Sequence, residues 1–339
     1  MKKELKTAFK FIFVLTAVIY SLPATAQLPG TGATEDLSVR VSPESPGAHT
    51  EVTIEIESFS SDLRKSDIQW FENGVRKTRG VGLANFTFTT GGLGTVSNIR
   101  VVVTTSAGQT IAKDFVFRIA RVDVLWSADS YTPAFFPGKP LPTSEAHISA
   151  YALPIFLENG KRLAPSSLMY EWSLNFEKQD KLSGIGKNSF TFTGPNSFGT
   201  TNIDVRVSTL DNRIISRGSV HIEPESSEVY VYVLDPLLGP DYRKPVNDNY
   251  ELREPELSLL SEPFYFPLSH KSGKGLRYEW ALNGKAAETS PATPQILTLR
   301  QRNTAGQAAV SINITDPFDN LVSAAKSFFV EFGSNLLTQ

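Results

Sequence analysis

A strand that ends in tryptophan and runs into a polar turn occurs three times in this 339-residue chain, and that repeat limits the fold more than any other feature. The copies are Asp67-Ile68-Gln69-Trp70-Phe71-Glu72-Asn73-Gly74, Tyr170-Glu171-Trp172-Ser173-Leu174-Asn175 and Tyr278-Glu279-Trp280-Ala281-Leu282-Asn283-Gly284. They stand roughly 100 residues apart, the size of one small domain. A chain of this length is too long for a single ordinary core, so the spacing predicts three copies of one folding unit. The repeat specifies an architecture and no chemistry.

The residues around each tryptophan give the units their β character. Val52, Ile54 and Ile56 alternate with Thr53, Glu55 and Glu57, the period of a strand with one buried face. After Trp70, Asn73-Gly74 predicts a tight turn, because both residues tolerate positive φ. Phe86 and Phe88 follow, then a glycine break ending at Gly94, the row Ile99, Val101, Val103, and a closing strand with Phe115, Phe117 and Ile119. The second unit opens on Val122 and Val124, and repeats the order through Ile148, Trp172, Phe190, Phe192, Gly199 and Ile203, Val205, Val207, closing on Val220 and Ile222. The third runs from Val229, Val231 and Val233 through Leu257, Leu259, Trp280, Gly306 and Val310, Ile312, Ile314 to Phe328, Val330 and Phe332. About seven short strands per unit with turn signals between them, and no helical period, predict antiparallel sandwiches.

Ahead of the repeats, Met1-Lys2-Lys3, Lys6 and Lys10 precede an apolar run from Phe11 to Tyr20 and the small-x-small site Ala24-Thr25-Ala26. These are the regions of a secretory signal peptide over 1–26, cut after Ala26. Leu5 and Phe9 extend the apolar face toward the alternative, an uncleaved anchor. The run is short for a membrane span, and the mature chain is expected not to span the membrane. Leu28-Pro29-Gly30-Thr31-Gly32 matches a sortase recognition pattern but stands before the domains rather than after them, and reads as a flexible linker over 27–35. The expected domains are 36–121, 122–225 and 226–333, with a short tail at 334–339. The chain has no cysteine, which excludes disulfides and thiolate chemistry and fits a bacterial exported protein. A net charge of −2 argues against a nucleic-acid partner.

Two insertions break the symmetry. One runs from Tyr131 to Pro140 with Phe135 and Phe136; the other runs from Asp235 to Glu256 with four prolines. Proline at this density predicts loops or edge extensions. A further cluster, Phe264-Tyr265-Phe266, lies between Pro263 and Pro267. Aromatic loops on a rigid scaffold are where partner binding is expected. Tyr131, Phe135, Phe136, Phe264, Tyr265 and Phe266 are therefore candidate partner-binding residues. The competing reading packs these rings over the sandwich ends or against the next domain. Trp126 has no equivalent in the other units and is a candidate for the same role, whereas Trp70, Trp172 and Trp280 are expected in the cores.

The strand-tryptophan-turn, the aromatic strand, the glycine turn and the Ile-x-Val-x-Val strand together resemble the immunoglobulin-like superfamily, and more narrowly the bacterial PKD-type domains that occur in tandem on exported proteins. The resemblance covers about residues 36–333. It implies an all-β chain of three tandem antiparallel Ig-like (PKD-like) β-sandwich domains after an N-terminal signal peptide. It also implies a spacer, adhesion or protein-interaction role without catalytic residues. The PKD pattern places Gly-Asp-Gly after the tryptophan, where this chain has Glu72-Asn73-Gly74, Leu174-Asn175-Phe176 and Leu282-Asn283-Gly284.

No catalytic constellation appears in the sequence. His49, His147, His221 and His270 are scattered without ligand spacing, and there is no nucleophile elbow or phosphate loop. A calcium site is the one cofactor alternative, on Asn247-Asp248-Asn249 or on Asp316 with Asp319-Asn320, since oxygen-rich turns suit hard cations. Asx-rich turns also arise because Asp and Asn cap turns well. The expected function is thus a non-enzymatic exported bacterial module at the cell surface or in the periplasm, binding other envelope or surface proteins. The alternative is a carbohydrate-binding or enzyme-accessory protein that uses the aromatic loops for glycans.

Overall fold

The computed structural model describes residues 37–194, 199–268, 275–301, 305–317 and 322–332. The expected signal peptide, linker, tail, His270 and Asp319-Asn320 lie outside the described residues. Within them the chain is all-β, interrupted by two single turns of 3-10 helix at Leu63–Lys65 and Pro165–Ser167.

Three separate apolar cores form among the described residues, each between two sheets. In the first, Ser38–Ser42, Glu51–Glu57 and Asn85–Thr89 make one sheet. Val75–Val81, Asp67–Glu72, Val96–Thr104 and Thr110–Arg118 make the other. The second core repeats this with Arg121–Asp129, His147–Ile155 and Ser189–Thr193 against Met169–Leu174, Thr201–Ser208 and Ile215–Ile222. In the third, Glu228–Asp235, Glu256–Phe264 and Ile296–Arg300 face Arg277–Leu282, Gly306–Thr315 and Ser323–Phe332. The chain is a tandem array of Ig-like β-sandwiches.

The alternation read from the sequence is the cause of this arrangement. Val52, Ile54 and Ile56 are buried while Glu51 and Glu57 are exposed, so one face of that strand enters the core. Trp70, Trp172 and Trp280 lie in the three cores, each with its indole N–H donated to a backbone carbonyl: Leu83 at 2.9 Å, Lys187 at 2.8 Å and Pro294 at 3.2 Å. That bond removes the cost of burying a polar edge inside an apolar core. Trp70 stacks on Phe86 at 5.2 Å, and Trp172 meets Phe190 edge-on at 4.9 Å.

The insertions extend the sandwiches at their edges. Asn249–Leu252 runs parallel to Ser323–Phe332, and Thr143 bridges Glu225 in the same sense. Gly239–Pro240 folds back on the end of Glu228–Asp235.

Candidate functional site

The first insertion reaches across to the third sandwich. Ser130 forms an antiparallel bridge with Pro267; Tyr131 donates its N–H to the Phe266 carbonyl at 2.7 Å and accepts from the Tyr265 N–H at 2.6 Å. Tyr265 adopts φ 62 to make this contact, a left-handed conformation that bulky residues rarely take. Beyond the bridge a turn closes, with the Phe136 N–H donated to Pro133 at 3.0 Å. The Phe136 ring folds over Gly138, where a Cβ would come within 2.4 Å of it.

The rings of both insertions then interlock. Phe135 stacks on Tyr242 at 3.7 Å and meets Tyr232 edge-on at 5.7 Å. Phe136 meets Phe264 at 5.4 Å and Tyr265 at 6.3 Å, both edge-on. Offset and edge-to-face contacts of this kind add to simple burial. Two carboxylates sit at the border of the cluster. Tyr230 donates to Glu228 at 2.8 Å and Tyr242 to Glu262 at 3.1 Å. The hydrogen bond to Glu228, then burial, pushes the Tyr230 hydroxyl up to about 12. Burial, then the charge of Glu262, does the same for Tyr242.

The structure therefore brings Tyr131, Phe135, Phe136, Phe264, Tyr265 and Phe266 together in one joint. Phe264, Tyr265 and Phe266 are buried, the arrangement of the reading that packs these rings against the next domain. They are covered by Tyr131 and Phe136 of the first insertion, a long-range pairing that no local pattern encodes. Phe135 and Tyr242 keep a partly open face, 37% and 36% exposed. Trp126 lies apart from this cluster. It sits on the strand Arg121–Asp129, packs half-buried against the second core, and carries Lys139 Nζ at 3.5 Å over its ring.

The candidate chemistry stays dispersed. His49, His147 and His221 are exposed, one on each of the first two sandwiches and a second on the latter, with His147 beside Thr193 and His221 hydrogen-bonded to Asn202. Among the described residues no group of three or more His, Cys, Asp or Glu side chains is placed to hold a metal ion. Asp248 is exposed and pairs with Lys326 at 3.6 Å.

A second surface was not singled out by sequence reasoning. In the first sandwich Val75–Val81 pairs with the tryptophan strand along its length, but in the second this edge strand splits into Glu177–Lys178 and Gly184–Ile185. Ser183 stands in the gap, accepting from the Trp172 N–H at 2.9 Å and donating to the Gln179 carbonyl at 2.8 Å. The split makes one wall of an open groove of about 1270 Å³ on the outer face of the sheet. Its floor carries Glu171, Arg206 and Arg217 in one row, with Glu171 accepting from Arg206 at 2.7 Å. The signal that could have exposed it is a single substitution in the repeat, Phe176 where the other units have glycine.

No known protein-family profile matches the sequence, and no curated relative does. Solved structures are matched at low identity. The central fibronectin-III array of RIM-binding protein is 12% identical, covers 88% of this chain and 96% of its own, and gives a TM-score of 0.28. Three N-terminal domains of the bacteriophage RB49 highly immunogenic outer capsid protein are 13% identical, with 88% and 98% covered and a TM-score of 0.25. A 1.5-MDa bacterial ice-binding adhesin is 12% identical, with 88% and 99% covered and a TM-score of 0.23. At such scores the likenesses carry no argument, and the sandwich assignment rests on the sheets and cores themselves.

Proposed function

We propose that this chain is a non-enzymatic, exported interaction module in which three sandwiches, over 36–121, 122–225 and 226–333, hold a docking surface in a set orientation at the cell surface or in the periplasm. The single observation that supports this reading is the joint between the second and third sandwiches. Rings that could have formed a binding loop pack against each other instead, and backbone hydrogen bonds join Tyr131 of the first insertion to Tyr265 and Phe266 of the third sandwich. A chain selected for fixed spacing and orientation needs such a joint; interdomain motion is otherwise the default. Protease shaving of intact cells, with fractionation and cross-linked pull-down from the envelope, tests the reading. Release of fragments from the surface or periplasm together with a cross-linked envelope partner is the expected result. Retention in the cytoplasm would overturn it.

A carbohydrate-binding role is the second reading, favoured by the stacked pair of Phe135 and Tyr242 with its partly open face. Glycan-array binding lost on replacing Phe135, Phe136 and Trp126 would establish it, and silence across glycans would remove it.

A further inference from the structure

The second sandwich departs from the other two at one turn. After each tryptophan strand an asparagine at φ 49 is followed by a second left-handed residue: Gly74 at φ 81, Phe176 at φ 67 and Gly284 at φ 75. The asparagines do the same work in all three. Asn73, Asn175 and Asn283 accept on Oδ1 from the N–H of Asn98, Asn202 and Ala309 at 2.9, 2.8 and 2.9 Å. Each donates its own N–H to the carbonyl of the same partner, at 2.7, 2.8 and 2.8 Å. The backbone geometry is therefore shared, and glycine adopts it without strain while a Cβ-bearing aromatic does not.

Phe176 gains little from burial in return, being 81% exposed. An aromatic held in an unfavourable conformation and turned to solvent has no folding rationale, and backbone strain of this kind collects at functional sites. Its position supplies the rationale. Phe176 stands at one end of the groove on the outer sheet face, and Leu210, 63% exposed on the turn after Thr201–Ser208, stands at the other. The strands between them span about 20 Å, the reach of roughly six extended residues. Midway, Arg206 and Arg217 are cross-strand neighbours. Arg206 is paired with Glu171, and Arg217 reaches Glu44 of the first sandwich at 3.3 Å.

We propose that this groove docks an extended segment of a protein partner, with an apolar side chain at each end, roughly six residues apart, and an acidic side chain at the centre that competes with Glu171 and Glu44 for the two arginines. Phe176 is its anchor. The proposal rests on the interaction-module reading and names the surface that performs it. A glycan is the competing occupant, for which Phe176 offers a single ring face, since Leu210 and Ile185, the other exposed apolar side chains of the groove, are aliphatic. Apolar anchors around a charged row that holds two arginines beside Glu171 are the composition of a protein interface.

The test screens the mature chain against a random peptide-display library. Selected synthetic peptides are then titrated against the parent, Phe176→Gly and Leu210→Ser. Enrichment of apolar–acidic–apolar sequences is expected, with binding weakened about tenfold or more by Phe176→Gly and also weakened by Leu210→Ser. Phe176→Gly restores the Asn-Gly pair of the other turns, so its melting temperature is expected to rise. A lower melting temperature would show that Phe176 holds the fold and would overturn the strain argument. Peptides that bind both variants like the parent would move the interaction off this groove while leaving the module reading intact. No enriched peptide would overturn the peptide occupant, and a glycan-array signal abolished by Phe176→Gly would replace it with a sugar. Absence of both peptides and an envelope partner would sink the module reading as well.

Discussion

At the scale of single residues, the three tryptophans and the three turn asparagines are the units of repetition. Trp172 fills the second core and satisfies its N–H on Lys187, so Trp172→Ala leaves both a cavity and an unpartnered carbonyl. It is expected to cost about 3–5 kcal/mol by chemical denaturation, whereas Trp126→Ala, half-buried at the core's margin, should cost clearly less. Tyr170 supplies a pH readout of the same core. Burial pushes its hydroxyl up to about 12, above the ordinary value of 10.0, while it donates to the Pro165 carbonyl at 3.0 Å. The folded state thus holds this proton more tightly than the unfolded chain. Its contribution to stability is intact below about pH 10 and is lost as the pH rises through about 12. Melting temperatures followed across that range should fall, and Tyr170→Phe should reduce the fall.

At the scale of elements, the joints decide behaviour that the strands do not. Gly94 donates its N–H to the Ile119 carbonyl at 2.8 Å where the first sandwich meets the second. Its φ is +80, and a Cβ there would come within 2.9 Å of Leu157. Gly94→Val is expected to destabilise this junction by roughly 1–3 kcal/mol, seen as faster proteolysis between the first two sandwiches. The second joint depends on neutral tyrosines. Ionising Tyr242 beside Glu262 sets like charges against each other, so alkaline titration between about pH 10 and 12 should loosen this joint. Ultraviolet difference absorbance would report the ionisation and small-angle scattering the loosening; a scattering curve unchanged over that range would count against the assignment.

At the scale of the molecule, three cores joined in this way should not melt independently. Calorimetry of the chain is expected to show the second and third cores unfolding together, and the double variant Phe135→Ala, Phe136→Ala to separate them into two transitions. Excess calcium or a chelator is expected to leave the melt unchanged, since Asp248 is exposed and occupied by Lys326. A chelator-sensitive melt would restore the cation alternative.

Much of this architecture was legible in the chain itself. Alternating apolar positions such as Val52, Ile54 and Ile56 depend only on the two-residue period of a strand. The tryptophan and Asn-Gly spacings depend only on each unit's internal geometry. The tryptophan repeat therefore determined the sandwich, its cores and its turns, because each rests on contacts within one unit. Which aromatic rings face solvent was a different matter. Tyr131 finds Tyr265 and Phe266 across more than a hundred intervening residues, and Phe135 finds Tyr242 from another unit. Such pairings follow from how two folded sandwiches meet, and nothing in the local spacing of a proline-rich loop carries that information. Phe176 lies between the two cases. Its missing glycine was visible beside Asn175, but that its ring stands exposed at the end of a groove was decided by the tertiary structure, through the edge strand split at Ser183.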